Sequence, residues 1–304
     1  MSLLIDLKNF IGNFSLEEVN PKAKKLFRVC LLSFTFIHTL TILAYKKWLL
    51  SPEGISLSLE MAPKAQGLNL FSLLSMESVR PFVGVFFFFQ IVSIILAMRG
   101  KFSIITNFLV LFFTLNLNTL IQPILDGGNQ VSVILLFFNC FLKTSQNNEK
   151  KASFINEIRT SLSNGAFYII KAHIIFLYIT AAVSKLNGPL WKSGMSLYYI
   201  LQSNEFGHPL IFNNIHVLEM PLTFLTYFTL LFQVCLPFLI HHKLMRLPMI
   251  FVGVLLHLGI VFTMGLFHFG TFMALVYVIF LKDKEITFLQ KLPNKIFKRG
   301  TYEN

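Results

Sequence analysis

The sequence predicts an all-α fold: a polytopic integral membrane bundle of about eight spans (roughly seven to nine), with both termini in the cytoplasm. Three observations lead there. Apolar residues make up 55% of the 304 residues and charged residues only 13%, with a mean hydropathy of +0.67, a balance that soluble domains do not carry. Apolar runs approaching the ~20 residues needed to cross a bilayer recur along the chain, and Phe alone is used 35 times. The basic residues, finally, crowd into alternate inter-span segments.

The first 25 residues are polar and mixed, and no small-x-small cleavage site of a signal peptide follows the first apolar run. Within them Leu3, Leu4, Ile5, Leu7, Phe10, Ile11 and Phe14 predict an interfacial amphipathic helix over 3–14. Spans are expected at about 26–45, 81–98, 102–121, 124–142, 166–184, 221–240, 247–267 and 269–281. The fourth and the last are the shortest or most interrupted by polar residues. Residues 1–25 are thus a cytoplasmic or interfacial segment, 26–282 a single membrane domain, and 283–304 a basic cytoplasmic tail. Two connections on the outer side are long, 46–80 and 185–220, and long ordered loops on one side tend to carry function. The first has room for a short helix lying flat near 68–79. The second carries the turn signal Gly207-His208-Pro209.

With the N-terminus inside, 19 of the 26 Lys and Arg residues fall on the inner side and six on the outer. Lys171, the remaining one, lies near the inner end of the fifth span, where its ammonium can snorkel. The outer acids Glu53, Glu60, Glu77, Asp126, Glu205 and Glu219 match the outer bases in number. This is the positive-inside distribution. It accounts for the net charge of +12 through topology and attraction to anionic headgroups, so the lipid bilayer, and no nucleic acid, is the expected partner. Cys30, Cys140 and Cys235 all fall within spans and are odd in number, which argues against a structural disulfide. No His-Glu-x-x-His, Walker loop, dinucleotide fingerprint or nucleophile elbow occurs, and no metal is expected.

A few polar residues interrupt the spans. His38, midway along the first, is expected to hydrogen-bond a neighbouring carbonyl, and Asn116 and Asn118 to tie helices together. Asp126-Gly127-Gly128-Asn129-Gln130 reads equally as a hairpin whose Asp caps the next helix and as the wall of a pocket. His257 sits at the centre of the seventh span and should be neutral and hydrogen-bonded, in a functional or a packing role. His268 follows at the outer turn, at a depth similar to that of Lys185, so the two could share an outward cavity.

Lys185 itself stands at the mouth of the fifth span. The breaker Asn187-Gly188-Pro189 follows, then an amphipathic segment with Trp191, Gly194, Tyr198 and Tyr199. An ammonium there is costly unless its pocket is wet or polar. The aromatic residues read either as an interfacial belt or as walls around the lysine.

Together these residues, Tyr178-x-x-Ala181-Ala182-x-x-Lys185-Leu186-Asn187-Gly188-x-x-Trp191-x-x-Gly194-x-x-Leu197-Tyr198-Tyr199, resemble the signature of the horizontally transferred transmembrane (HTTM) domain. That superfamily includes the vitamin K-dependent gamma-glutamyl carboxylase. His257 and the glycine-punctuated run to Gly270 resemble its second signature. Within the group the chain is most similar to the bacterial sporulation-delaying protein B family, through Asp126-Gly127-Gly128, Ala181-Ala182, Trp191 and Gly194-x-x-Leu197-Tyr198-Tyr199. The resemblance covers roughly residues 20–282. It implies a multi-pass protein of a bacterial inner membrane that helps mature an exported peptide toxin or bacteriocin, working with a small partner protein and a peptide precursor. It also implies catalytic roles for Lys185, as a base, and for His257; Asp126, Trp191, Tyr198, Tyr199 and His268 are the residues expected around the cavity. A quinone cofactor enters only through the carboxylase branch. That branch carries a large extramembrane domain, whereas this chain ends about 23 residues after its last expected span.

Three functions follow: peptide maturation at an outward-facing cavity, quinone-dependent carboxylase-like chemistry with Lys185 as base, and a non-enzymatic scaffold or exporter component. Lys185 separates them. A base must be neutral part of the time, and an interfacial anchor need not be.

Overall fold

The computed structural model describes residues 17–49, 70–76, 78–101, 103–143, 154–203, 205–207, 213 and 215–299. The amphipathic helix expected over 3–14, most of the 46–80 connection, and His208-Pro209 of the turn signal lie outside these residues. Every regular element among the described residues is helical. The main ones are α1 (Pro21–Ala44), α2 (Val83–Met98), α3 (Ser103–Asn118), α4 (Gly127–Asn139) and α5 (Phe154–Asn187), followed by α6 (Ser196–Gln202), α7 (Glu219–Leu239), α8 (Arg246–Met264), α9 (Phe267–Val276) and α10 (Asp283–Arg299).

Six helical stretches are long and apolar enough to cross a membrane: Pro21–Ala44, Arg80–Met98, Ser103–Ile121, Phe154–Asn187, Glu219–Leu239 and Arg246–Met264. They coincide with six of the eight expected spans. The other two are shorter. The fourth is only the 13 residues of α4, and the last runs as α9 plus a 3-10 turn over Phe267–Phe280. At 1.5 Å per residue α4 extends about 20 Å, against a hydrocarbon core of ~30 Å. Its ends are trimmed by the Asp126 cap and by the turn at Cys140. Helix α5 errs the other way: it starts at Phe154 and runs 34 residues, so Lys171 sits mid-helix. Instead of simply snorkelling, the Lys171 ammonium lies 4.2 Å from the centre of the Phe167 ring, a cation–π contact.

Helix boundaries follow local chemistry. Pro21 begins α1 at a position where its missing N–H costs nothing. Gly188 and Pro189 stop α5, because proline cannot continue the ladder and instead opens the one-turn helix Pro189–Lys192. Gly194 then turns the chain into α6 with φ of +76°, a left-handed conformation that favours glycine.

Helix α9 is the central element. It packs against α8, α4 and α1, and Phe272, Met273, Val276 and Tyr277 of this stretch are buried. Helices α2 and α3 form an antiparallel pair beside α1, and α7 packs on α5 and α6. Side-chain bonds tie the layers: Gln90 Nε2 to Thr114 Oγ1 at 2.8 Å links α2 to α3, and Asn139 Nδ2 to Asn107 Oδ1 at 3.1 Å links α4 to α3. Asn116 ties α3 to the 3-10 turn Leu70–Ser75, accepting from Leu73 N–H at 2.7 Å and donating to the Leu70 carbonyl. The 283–304 segment, read as a tail, begins with α10. It is fastened to α1 by Ala23 N–H donating to Asp283 at 3.1 Å and by Lys22 donating to Thr287 at 2.7 Å, and to α8 by the Arg246–Glu285 ion pair.

Candidate functional site

Helices α5, α6, α7, α8 and α9 line a partly open cavity of about 700 Å3. Lys185 from the last turn of α5 and His257 from the middle of α8 both line it. The remaining wall is mostly aliphatic and aromatic, with Thr229, Gln233 and Thr263 as its other polar side chains. Among the described residues, no carboxylate lines it. The Lys185 ammonium instead rests over the Trp191 ring, 5.0 Å from its centre. The helix break at Gly188-Pro189 makes this possible, because it folds the Trp191 turn back against the end of α5.

A cation–π contact contributes roughly 0.5–2 kcal/mol. That is less than the several kcal/mol it costs to desolvate an unpaired ammonium. The cavity therefore presents a cation whose charge is only partly compensated, beside a large apolar volume. It is suited to an anionic or carbonyl group on an apolar body.

His257 is held from behind. Its Nε2 lies 2.8 Å from the Tyr178 hydroxyl, and that hydroxyl bonds in turn to Tyr277. The imidazole is buried and hydrogen-bonded, as expected for this depth, while its Nδ1 has no partner among the described residues. Tyr178 and Lys185 are seven residues apart, two turns of α5, so one face of this helix both orients His257 and presents the lysine. Gly253 admits Tyr277 to this arrangement: a Cβ at 253 would lie 2.3 Å from the Tyr277 ring and hydroxyl. Gly253→Ala should therefore destabilise the protein by about 1–3 kcal/mol through overpacking. A detergent-solubilised melting curve measures this, and an unchanged melt would mean that Tyr277 moves aside freely.

The other predicted cavity residues divide. Trp191 lines the Lys185 cavity, and Tyr198 and Tyr199 do not. In α6 the positions spaced at three and four, Leu197, Ile200 and Leu201, take the cavity side. Tyr199 is left exposed, and Tyr198 packs partly buried against the small cluster of Leu197, Leu201, Ile215 and Leu222.

Asp126 and His268 do not share the Lys185 cavity either. They line a second one of about 340 Å3, with His38, Asn129, Tyr45 and Trp48. His268 and Phe269 are neighbours on α9, yet His268 lines the smaller cavity and Phe269 the larger. The two cavities thus open on different sides of α9, and similar depth did not bring Lys185 and His268 together.

At this second site both readings of the Asp-Gly-Gly turn hold. Asp126 Oδ1 accepts from Asn129 N–H at 3.0 Å and Asn129 Oδ1 accepts from Asp126 N–H at 3.1 Å, a capping box at the start of α4. Asp126 is also part of the cavity wall. His38 bonds Asn129 at 3.2 Å, not a neighbouring carbonyl. Gly128 permits the close approach of α4 to α9: a Cβ there would stand 2.9 Å from the Phe269 Cα and 3.1 Å from His268 Nδ1. Among the described residues, no group of three or more His, Cys, Asp or Glu side chains is arranged to hold a metal ion.

No protein-family model, curated protein or solved structure matches this chain.

Proposed function

We propose that the chain is a multi-pass protein of a bacterial inner membrane that helps mature an exported peptide, acting on it in the Lys185–His257 cavity. The observation that carries this reading is the pairing of one incompletely compensated lysine with a buried, tyrosine-oriented histidine on the wall of a large apolar cavity. A purely structural bundle has no need of such a space. The peptide-toxin or bacteriocin precursor, the small partner protein and the HTTM relationship rest on the sequence resemblance. In this reading Lys185 either takes a proton from an acidic X–H of the bound substrate or holds a carboxylate or carbonyl as a fixed cation. His257, braced by Tyr178 and Tyr277, positions a polar group beside it.

The apolar lining also supports the carboxylase-like alternative. A quinone fits the residues present: Lys185 and His257 would address its oxygens and Trp191, Phe228 and Phe269 its ring. When bound, such a group supplies redox chemistry. On either reading the cavity must stay open.

Gly259 gives the test. It lines the cavity, and a Cβ built on it meets nothing within 4 Å. Gly259→Ala should leave the protein unchanged or slightly more stable, since Ala is the better helix former by roughly 1 kcal/mol. Gly259→Trp should fill the cavity and abolish mature peptide in the culture supernatant, read by mass spectrometry at matched expression and matched melting temperature. Normal output from Gly259→Trp would remove the cavity from the function and favour a scaffold.

The proposed topology places both termini in the cytoplasm, with eight crossings and the 46–80 and 185–220 connections outside. Single cysteines at Ser58, Ser203 and Ser145, in a chain lacking Cys30, Cys140 and Cys235, test it with an impermeant thiol reagent on intact cells. Ser58→Cys and Ser203→Cys should react and Ser145→Cys should stay silent. The opposite pattern overturns the orientation.

A further inference from the structure

We propose that the second cavity, at Asp126, is a binding site for an organic ammonium group. The proposal stands on a cavity separate from that of Lys185 and does not rest on the reading given to that lysine.

The hydrogen-bond network fixes the character of the site. Because Asn129 Oδ1 accepts from the Asp126 backbone N–H in the capping box, the Asn129 amide NH2 is turned toward the two histidines. It lies 3.2 Å from His38 Nε2 and 3.4 Å from His268 Nε2. With two N–H bonds to give, it makes both Nε2 atoms acceptors. The other nitrogen of His268, Nδ1, then carries the proton and donates to Asp126 Oδ1 at 3.1 Å. An Nδ1–H tautomer of each ring satisfies these contacts. A proton added to either Nε2 would face the amide hydrogens.

Two consequences follow. Asp126 is the one carboxylate that lines the cavity, and no Lys or Arg lines it, among the described residues. Its Oδ1 already serves Asn129 and His268, and the carboxylate keeps acceptor capacity on its partly exposed side chain. Around it stand aromatic faces and acceptors. Tyr45 and Trp48 line the same space from the end of α1 and the following turn, and Thr41 contributes a hydroxyl. A carboxylate with aromatic rings is the chemistry that recognises an ammonium, through charge, N–H donation and cation–π attraction. A metal ion has less to hold here, since Asn129 occupies both imidazole acceptors and no metal-ligand group is formed among the described residues. The neighbouring cavity, on the other side of α9, carries the opposite sign through Lys185.

The ammonium could come from a peptide, as an amino terminus or a lysine side chain, or from the amine headgroup of a lipid. The shared chemistry is tested first. In the full chain with Trp191→Phe, Trp48 is the only tryptophan left of two, and its emission reports on this cavity. Titration with n-butylammonium should change that emission saturably, and n-butanol and butyrate should not. Asp126→Asn keeps the cap, since Asn is as good an N-cap as Asp. It should weaken the response by roughly tenfold or more, as loss of a charged partner does. A short peptide with a free amino terminus against its acetylated form, and short-chain ethanolamine-headed against glycerol-headed phospholipid, then identify the source; a response to either amine supports the site. Equal responses to butylammonium and butanol in the unmutated Asp126 protein would overturn the proposal, as would a signal moved by Zn2+ and not by butylammonium. An Asp126→Asn protein that folds and binds as before would overturn it too.

Discussion

Lys185→Met should abolish production of mature peptide while the protein still inserts and melts normally. Methionine matches the length of the lysine stem and replaces an ammonium that, among the described residues, has no carboxylate partner in the cavity wall, only the Trp191 face. The lost contact is worth roughly 0.5–2 kcal/mol and is offset by the desolvation that the charge no longer requires, so the fold should tolerate the change. Function should not. A positioned acid or base contributes about 100- to 10,000-fold, and a substrate anion deprived of the Lys185 cation loses binding on a similar scale.

Lys185→Arg then separates the two chemistries. Arginine keeps the charge and cannot usefully deprotonate. If Lys185 is a base, the Arg variant should fall as far as the Met variant. If it is a fixed cation, the Arg variant should keep most of its output, reduced only by the fit of a wider head against Trp191. Full activity of Lys185→Met would make the lysine an interfacial anchor and put the scaffold reading first.

How much of this was legible beforehand depends on which physical signal each feature left. Length and apolarity leave a strong one, and six of the eight expected spans are long apolar helices. The two that are not, α4 and α9, are held by packing against neighbouring helices rather than by length, and a window of hydropathy cannot see packing. Lys185, Trp191 and His257 were readable because a charge, an indole beside a helix break and a mid-span imidazole are each costly out of place. Their convergence on one cavity could not be read, because it depends on how α5 and α8 face each other.

Tyr198 and Tyr199, read as belt or as wall, stay out of the Lys185 cavity for a simpler reason. Two adjacent residues on a helix point about 100° apart, and the three-and-four spacing of Leu197, Ile200 and Leu201 already claimed the cavity face. Asp126 and His268 line a different cavity from Lys185: depth is legible in a sequence, and the side of a helix on which a cavity opens is not. Tyr178 opened the signature without being given a role, and Tyr277 was not singled out. The spacing of seven from Tyr178 to Lys185 would have put Tyr178 on the lysine's face, but nothing local marks Tyr277 as its partner.

The histidine carries the last prediction, because its role can be separated from its packing. His257 Nε2 and Tyr277 both bond the Tyr178 hydroxyl, within a wall where all three side chains are buried. His257→Leu removes the imidazole and leaves the Tyr178 hydroxyl with one partner in place of two. Tyr178→Phe removes the central hydroxyl and strands both neighbours. Each should cost about 1–3 kcal/mol, the penalty for an unsatisfied buried polar group, visible as a lower melting temperature in detergent. His257→Gln keeps a hydrogen-bonding group of similar reach and gives up the ring nitrogen that lacks a partner among the described residues. It should hold the melting temperature near that of the unmodified protein. If the imidazole handles a proton or a substrate polar group, mature peptide should still fall at least about tenfold in the Gln variant. If His257 only braces the helices, Gln should restore output along with stability while Leu does not. Normal stability and normal output in both variants would make the histidine filler, and Lys185 would then stand alone as the working group of the cavity.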